Sequence, residues 1–154
     1  MRRSVIPKTW GRMTMASCPV PEHDFGEHVG EERLIVRGAT LGQVFVEAAR
    51  GLRELYGELD QPTDDPSWRT IEVDAEDRAA LLIEWLNELI YLAESEHWIP
   101  ISFMIDAALP TRLRVHARGV RVASAPSQIK AATWHGLRFD CHDGMFEAEV
   151  ILDV

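Results

Sequence analysis

The chain has 154 residues, 46% of them hydrophobic and 27% charged, which is the size and composition of one globular domain with a single core. Twenty-five acidic against sixteen basic residues leave a formal charge of −9, which excludes a basic nucleic-acid-binding module. No apolar run approaches the roughly 18 residues of a transmembrane helix. Cys18 and Cys141 lie too far apart for zinc-type spacing, and they read as reduced thiols of a cytoplasmic protein.

Residues 1–20 stand apart. Up to Cys18 they carry Arg2, Arg3, Lys8 and Arg12 with no acidic residue. They lack the apolar stretch of about 7–15 residues that a secretory signal needs. Met13 and Met15 offer alternative starts, so the segment reads as a disordered or mis-assigned leader, with a basic arm for RNA or a membrane surface as the alternative. The domain proper is expected over 21–154.

Glu32–Arg37 has the β-branched centre of a short strand, closed by Gly38. Thr40-Leu-Gly-Gln43 then carries a capping-box pattern, which satisfies free N–H groups at a helix start. Leu41, Val44, Phe45, Ala48, Leu52 and Leu55 follow at helical spacing, and Gly57 sits where a glycine ends a helix. Gly57–Ser67 reads as a loop and Trp68–Asp74 as a strand. Asp74 is expected to cap a second helix, with Leu82, Leu86, Leu89, Ile90 and Ala93 on one stripe and Leu81, Trp85 and Leu92 widening it. That helix is expected to be the buried spine.

Ile99–Ala107, Thr111–Arg118 and Val120–Ser124 read as strands, the last two separated by Gly119. Ile129–Cys141 and Met145–Leu152 close the chain as a hairpin around His142-Asp143-Gly144, an Asp-Gly turn signal. The order implies an α+β fold, with two helices packed on a mainly antiparallel or mixed β-sheet.

Charge is uneven. Asp74–His97 holds seven carboxylates and one arginine, as a solvated helix face would. Thr111–Phe139 holds six basic residues (Arg112, Arg114, Arg118, Arg121, Lys130 and Arg138) and no acidic one, which fits either exposed strand faces or a partner-binding patch. Lys130 is one of only two lysines against fourteen arginines.

Glycine-rich phosphate loops, Gly-x-Ser-x-Gly elbows and Cys/His clusters are absent from the sequence. Carboxylates remain. Three segments matter: Glu27-His28-Val29-Gly30-Glu31, Ile129–Leu137, and Val150–Val154 where the sequence ends. Asp153 and the Val154 α-carboxylate are one residue apart, so they read either as a solvated end or as oxygen ligands for a hard cation, calcium or magnesium rather than zinc.

These motifs together resemble the archease family, the small protein partners of the RtcB-type tRNA-splicing RNA ligase. The resemblance runs from about Phe25 to Val154. His28 stands ten residues before Gly38, followed by Thr40-Leu41, as the family's His-Thr-Ala-Asp motif does. Glu76-Asp77, Leu81-Leu82 and Trp85-Leu86-Asn87-Glu88-Leu89 match its central pattern. Lys130-Ala-Ala-Thr-Trp-His-Gly-Leu137 and the ending Val150-Ile-Leu-Asp153-Val154 match two more. One motif departs: Val29-Gly30-Glu31, followed by Glu32 and Arg33, stands where the family has Thr-Ala-Asp and an apolar-glycine pair.

The resemblance implies a protein cofactor, not itself an enzyme, that promotes guanylylation and turnover of the ligase and meets RNA only through it. It implies a divalent-metal site held by Glu31, Asp153 and the Val154 terminus, with no catalytic residue of the chain's own. Glu31 keeps the carboxylate but adds a methylene, which calcium's flexible coordination absorbs better than magnesium's octahedron. Lys130, His135 and His28 are the expected partner-facing residues. Two alternatives stay open: a metal-free adaptor of the same fold, and a small metal-dependent hydrolase using Glu31 and Asp153.

Overall fold

The structure, a computed structural model, describes residues 20–28, 30–126 and 129–154. The expected leader and Cys18 lie outside the described residues. The elements run β1 (Glu22–His28), β2 (Glu31–Gly38), α1 (Leu41–Leu55), β3 (Ser67–Asp74), α2 (Arg78–Glu96), β4 (Trp98–Leu109), β5 (Arg112–Arg121), β6 (Ala131–His142) and β7 (Met145–Asp153). All strand pairings among them are antiparallel, and they form two sheets, a four-stranded one ordered β1-β2-β7-β6 and a three-stranded one ordered β3-β5-β4. The fold class is the expected α+β, with the single sheet resolved into two.

Local chemistry sets the first helix. The Thr40 hydroxyl accepts from the Gln43 N–H at 3.1 Å, the Gln43 side chain accepts from the Ala39 N–H at 2.7 Å, and Gly57 takes φ +70° beyond the last turn. The terminal hairpin also follows its turn residues. Asp143 and Gly144 have φ values of 52° and 76°, the pair of positive angles that a two-residue type I′ turn needs, and His142 pairs with Met145 across it.

The structure departs from the sequence reading at three places. The cap of α2 is Asp77, whose carboxylate accepts from the Ala80 N–H at 2.8 Å, because Asp74 is still held in the β3 ladder opposite Arg112. Gly119 does not divide a strand. It lies inside β5, and a Cβ there would stand 2.5 Å from Trp98 Cζ2 and 2.7 Å from the Ile99 carbonyl, so the indole occupies the space a side chain would need. Beyond Arg121 only Val122 bridges, to Pro62. The third is β1, which the sequence did not announce: its residues, Glu-His-Asp-Phe-Gly-Glu-His, show neither β-branched side chains nor an apolar alternation.

Both helices touch both sheets: α1 packs on β1, β2 and β7 and on β4, and α2 on β6 and on β3, β4 and β5. Gly42 and Gly51 of α1 show why close approach is possible. They are nine residues apart and so on opposite faces at about 100° per residue. A Cβ at Gly51 would lie 2.6 Å from Leu34 of β2, and one at Gly42 would lie 3.3 Å from Ile105 of β4. α2 is correspondingly apolar on nearly every side, with Leu81, Leu82, Ile83, Trp85, Leu86, Leu89, Ile90 and Leu92 all buried. Trp85, the expected spine residue, is fully buried and its indole N–H donates to the Phe45 carbonyl at 2.8 Å. Glu84, Tyr91 and Glu94 are left for solvent.

β1 is tied down by charge. The two ring nitrogens of His23 lie 2.7 Å from Glu47 and 2.7 Å from Glu54 of α1, and Arg50 donates to the other oxygen of the buried Glu47. Burial alone pushes the imidazole's pKa down, but the hydrogen bonds and charge of Glu54 and Glu47 outweigh it and hold it above its ordinary 6.5. A group raised on folding stabilises fully below its unfolded pKa and loses that contribution as pH rises through the folded value. Urea denaturation across neutral pH should therefore show stability falling above pH 6.5, and His23→Asn should flatten that fall.

Candidate functional site

Sheet register gathers the segments that the sequence singled out. β2 pairs with β7 so that Glu31 stands directly opposite Asp153, β1 places His28 opposite Glu31, and β6 places Ala131 opposite Asp153. Glu31 and Asp153, directly opposed, share a face. It is the face turned away from the helices, because Leu34 and Val36 of β2 and Ala148, Val150 and Leu152 of β7 take the alternate, fully buried positions. Lys130 extends the row. Its backbone N–H donates to the Asp153 carbonyl at 2.7 Å, and its side chain is exposed, as are those of Asp153 and Val154. His28, Glu31, Lys130, Asp153 and Val154 thus converge at one end of the four-stranded sheet.

His135 is placed differently. The sequence reads 129–141 as an unbroken strand, but between Thr133, opposite Ile151, and Arg138, opposite Glu149, four residues of β6 face the single Val150. Gly136 takes φ +68°, and a Cβ there would stand 3.6 Å from Ile151. The bulge therefore folds over the outer face. Ile151 is buried although its neighbours on that face are Glu149 and Asp153, and it lies outside the core cluster. The same excursion leaves His135 exposed and Trp134 60% exposed. Bulges re-aim side chains in this way.

A residue whose role the sequence did not disclose holds this strand in place. Asn87, on the side of α2 facing β6, donates to the Ala132 carbonyl at 3.3 Å and accepts from the Ala132 N–H at 2.8 Å. Its amide thus replaces a neighbouring strand at the sheet edge. The available signal was an amide side chain among the apolar and acidic residues of the helix. Thr133 adds a hydroxyl donated to the Ile151 carbonyl at 3.2 Å.

The basic run is largely consumed inside the chain. Arg112 and Arg114 reach Glu72 at 3.0 and 2.8 Å, Arg114 also reaches Asp106 at 3.0 Å, and Arg121 reaches Asp64 at 3.3 Å. Arg138 lies 3.0 Å from Asp140 and 3.7 Å from Glu149, which also pairs with Arg33. The exposed-strand reading of these arginines therefore holds for most of the run.

Glu31 and Asp153 offer oxygen donors only, the set that calcium and magnesium take. Among the described residues no three His, Cys, Asp or Glu side chains stand close enough to hold a metal on their own. A cation here would rest on that pair, the Val154 α-carboxylate and ligands from outside the chain. Cys141 is a free, exposed cysteine, and no helix among the described residues is long and apolar enough to cross a membrane.

An α+β domain with a helix pair between two antiparallel sheets, and a carboxylate pair at one sheet end, is the class of protein these observations define. Comparison with known proteins gives the family. Residues 23–154 match the model of the archease protein family (MTH1598/TM1083), and the chain belongs to that family. The protein archease of Pyrobaculum calidifontis is 32% identical, with 88% of this chain and 82% of that one covered. That of Pyrobaculum neutrophilum is 27% identical over 90% of this chain and 99% of its own. The solution structure of Methanobacterium thermoautotrophicum protein 1598 superposes with a TM-score of 0.66 at 25% identity, covering 86% of this chain and 98% of that one. The crystal structure of an archease and possible chaperone from Thermotoga maritima, at 20% identity, shares the fold with a TM-score of 0.61 and covers 92% of this chain and 100% of that one.

Replacing Asn87 with alanine leaves the N–H and C=O of the buried Ala132 without that partner, at a cost of about 1–3 kcal/mol. A lowered chemical-denaturation midpoint checks it.

Proposed function

We propose that this chain activates an RtcB-type tRNA-splicing RNA ligase by promoting its guanylylation and turnover, and that it is a protein cofactor rather than an enzyme. One observation carries the reading: Glu31, Lys130, Asp153 and Val154, far apart in sequence, lie together at a single exposed sheet end. Nothing in the core needs a lysine and two opposed carboxylates there. Membership in the archease family supports the same direction.

Each residue has a task in this reading. Glu31, Asp153 and the Val154 carboxylate hold a divalent cation, calcium foremost and magnesium next, which supplies charge stabilisation to phosphate chemistry in the partner. Lys130 binds a phosphate or an acidic residue of the ligase. His135 and His28 lie on the partner-facing side, and RNA is contacted only through the ligase. The metal-free adaptor is the second reading. It is favoured by the lack of a third metal-binding side chain among the described residues.

The decisive assay is ligase guanylylation and turnover at limiting ligase, with and without this protein. Lys130→Ala should leave stability within about 0.5 kcal/mol, as surface substitutions do, while reducing the stimulation. Unchanged stimulation would remove Lys130 from the mechanism, and no stimulation by the wild type would remove the activator reading.

Metal binding has its own readout. Calcium at about one hundred times its dissociation constant stabilises a fold by roughly 2.7 kcal/mol, a melting shift on the order of 5 °C for a domain of this size. Asp153→Ala or a C-terminal tag, which converts the terminal carboxylate to an amide, should abolish the shift, and Glu31→Asp should preserve it. Superimposable melts in calcium, magnesium and chelator would leave the adaptor reading.

A further inference from the structure

A second group of carboxylates lies where the end of α1 meets the loops that follow α1 and β5. Tyr56 caps α1, Glu58 and Asp60 belong to the loop after it, and Ser124 lies beyond β5. Together with Leu59 and Pro126 they line an open cleft of about 210 Å³. The two loops are tied together: the Ser124 hydroxyl donates to Asp60, the Thr63 N–H donates to the Arg121 carbonyl at 2.8 Å, and Pro62 bridges to Val122. Neither Glu58 nor Asp60 has a cationic partner among the described residues.

Tyr56 makes this more than a cluster of surface acids. It is the one buried residue of those lining the cleft, at 6% exposure, so its ring forms the floor and Glu58, Asp60 and Ser124 the exposed rim. Its hydroxyl is buried, and no group among the described residues hydrogen-bonds to it. A buried polar group in that condition destabilises the fold, and phenylalanine would fill the same space without the penalty. Burial, and then the negative charge of Glu94, push the phenol's pKa up, so at neutral pH it is an uncharged hydroxyl with lone pairs to offer. Arg53 of α1 also lies near Tyr56. It donates to the Gly57 carbonyl at 2.8 Å, and its single positive charge stands against Glu58, Asp60 and Glu94.

We propose that this cleft binds a primary alkylammonium ion, with Tyr56 Oη, Glu58 and Asp60 accepting from the ammonium and Leu59 and Pro126 lying against the alkyl stem. An anion would meet two carboxylates that have no cationic partner. Calcium takes about six to eight oxygen ligands. Among the described residues no three His, Cys, Asp or Glu side chains stand close enough to hold a metal. One acceptor on the floor and two on the rim suit the three diverging N–H donors of an ammonium better than the planar fork of a guanidinium. The cleft is smaller than the roughly 300–1,000 Å³ of pockets for drug-sized ligands, so it takes a free diamine or a single lysine side chain, which bring the same head group. The site uses no residue of the β2–β7 sheet end and stands apart from the activator reading.

The test is calorimetry and thermal melting of the full chain, with chelator present and ionic strength held constant. The probes are butylammonium, 1,4-diaminobutane, Nα-acetyl-lysine amide and tetramethylammonium. The first three should bind saturably, one per chain, and raise the melting temperature. Tetramethylammonium, which carries the charge without an N–H donor, should do neither. Tyr56→Phe should melt at or above the wild type without ligand, yet bind butylammonium about tenfold more weakly, the size of a hydrogen bond to a charged group. Glu58→Gln and Asp60→Asn should each weaken binding by about tenfold or more. Tighter binding of diaminobutane than of the lysine amide assigns the site to a free polyamine, and the reverse assigns it to a lysine of a partner protein. Absence of saturable binding, an equal response to tetramethylammonium, or wild-type affinity in Tyr56→Phe overturns the proposal.

Discussion

The burial of α2 on two sides is the constraint on which the rest of the structure depends. A helix that touches one sheet needs one apolar stripe; a helix between two sheets must be apolar nearly all round, and α2 is. Its few polar groups near the core are therefore committed. The Trp85 indole N–H is spent on the Phe45 carbonyl, which fixes α2 against α1. Asn87 is spent on Ala132, which fixes it against β6. At the N-terminal end Arg78 lies over the rings of Phe139 and Phe146 and donates to the Phe139 carbonyl at 3.3 Å. The arrangement specifies where β6 runs, and β6 carries Lys130, Trp134 and His135.

From that anchoring the candidate site follows as a problem of sheet edges. β6 borders the four-stranded sheet, so its free side is available to a helix amide at Ala132 and to a bulge beyond Thr133. β7 lies between β2 and β6, so its last residues fall into a row with the first of β2 and with Ala131. Inward positions on these strands are closed to anything polar by Leu34, Val36, Val150 and Leu152. The opposed carboxylates Glu31 and Asp153 consequently stand on the outer face, where they do not disturb the core. Polar groups and core groups are carried by the same strands on opposite faces.

The sequence alone determined what depends on near neighbours. Thr40 and Gln43 cap α1, Gly57 ends it, Asp143-Gly144 turns the last hairpin, and the apolar spacing of both helices is present in the chain, because each involves residues a few positions apart. The motifs around Lys130 and Asp153 were legible too, as was the family they resemble. What only the tertiary structure decided are pairings between residues far apart: Glu31 with Asp153, Asn87 with Ala132, and the arginines of β5 with Glu72 and Asp106. Gly119 reads as a strand break until Trp98 is seen to fill the space above it, and β1 has almost no strand signal because its docking rests on His23 between two glutamates of α1. Local rules act through adjacent backbone groups and are written in short stretches of chain. Register, bulges and ion pairs are fixed only when the helix pair is buried and the two sheets close around it.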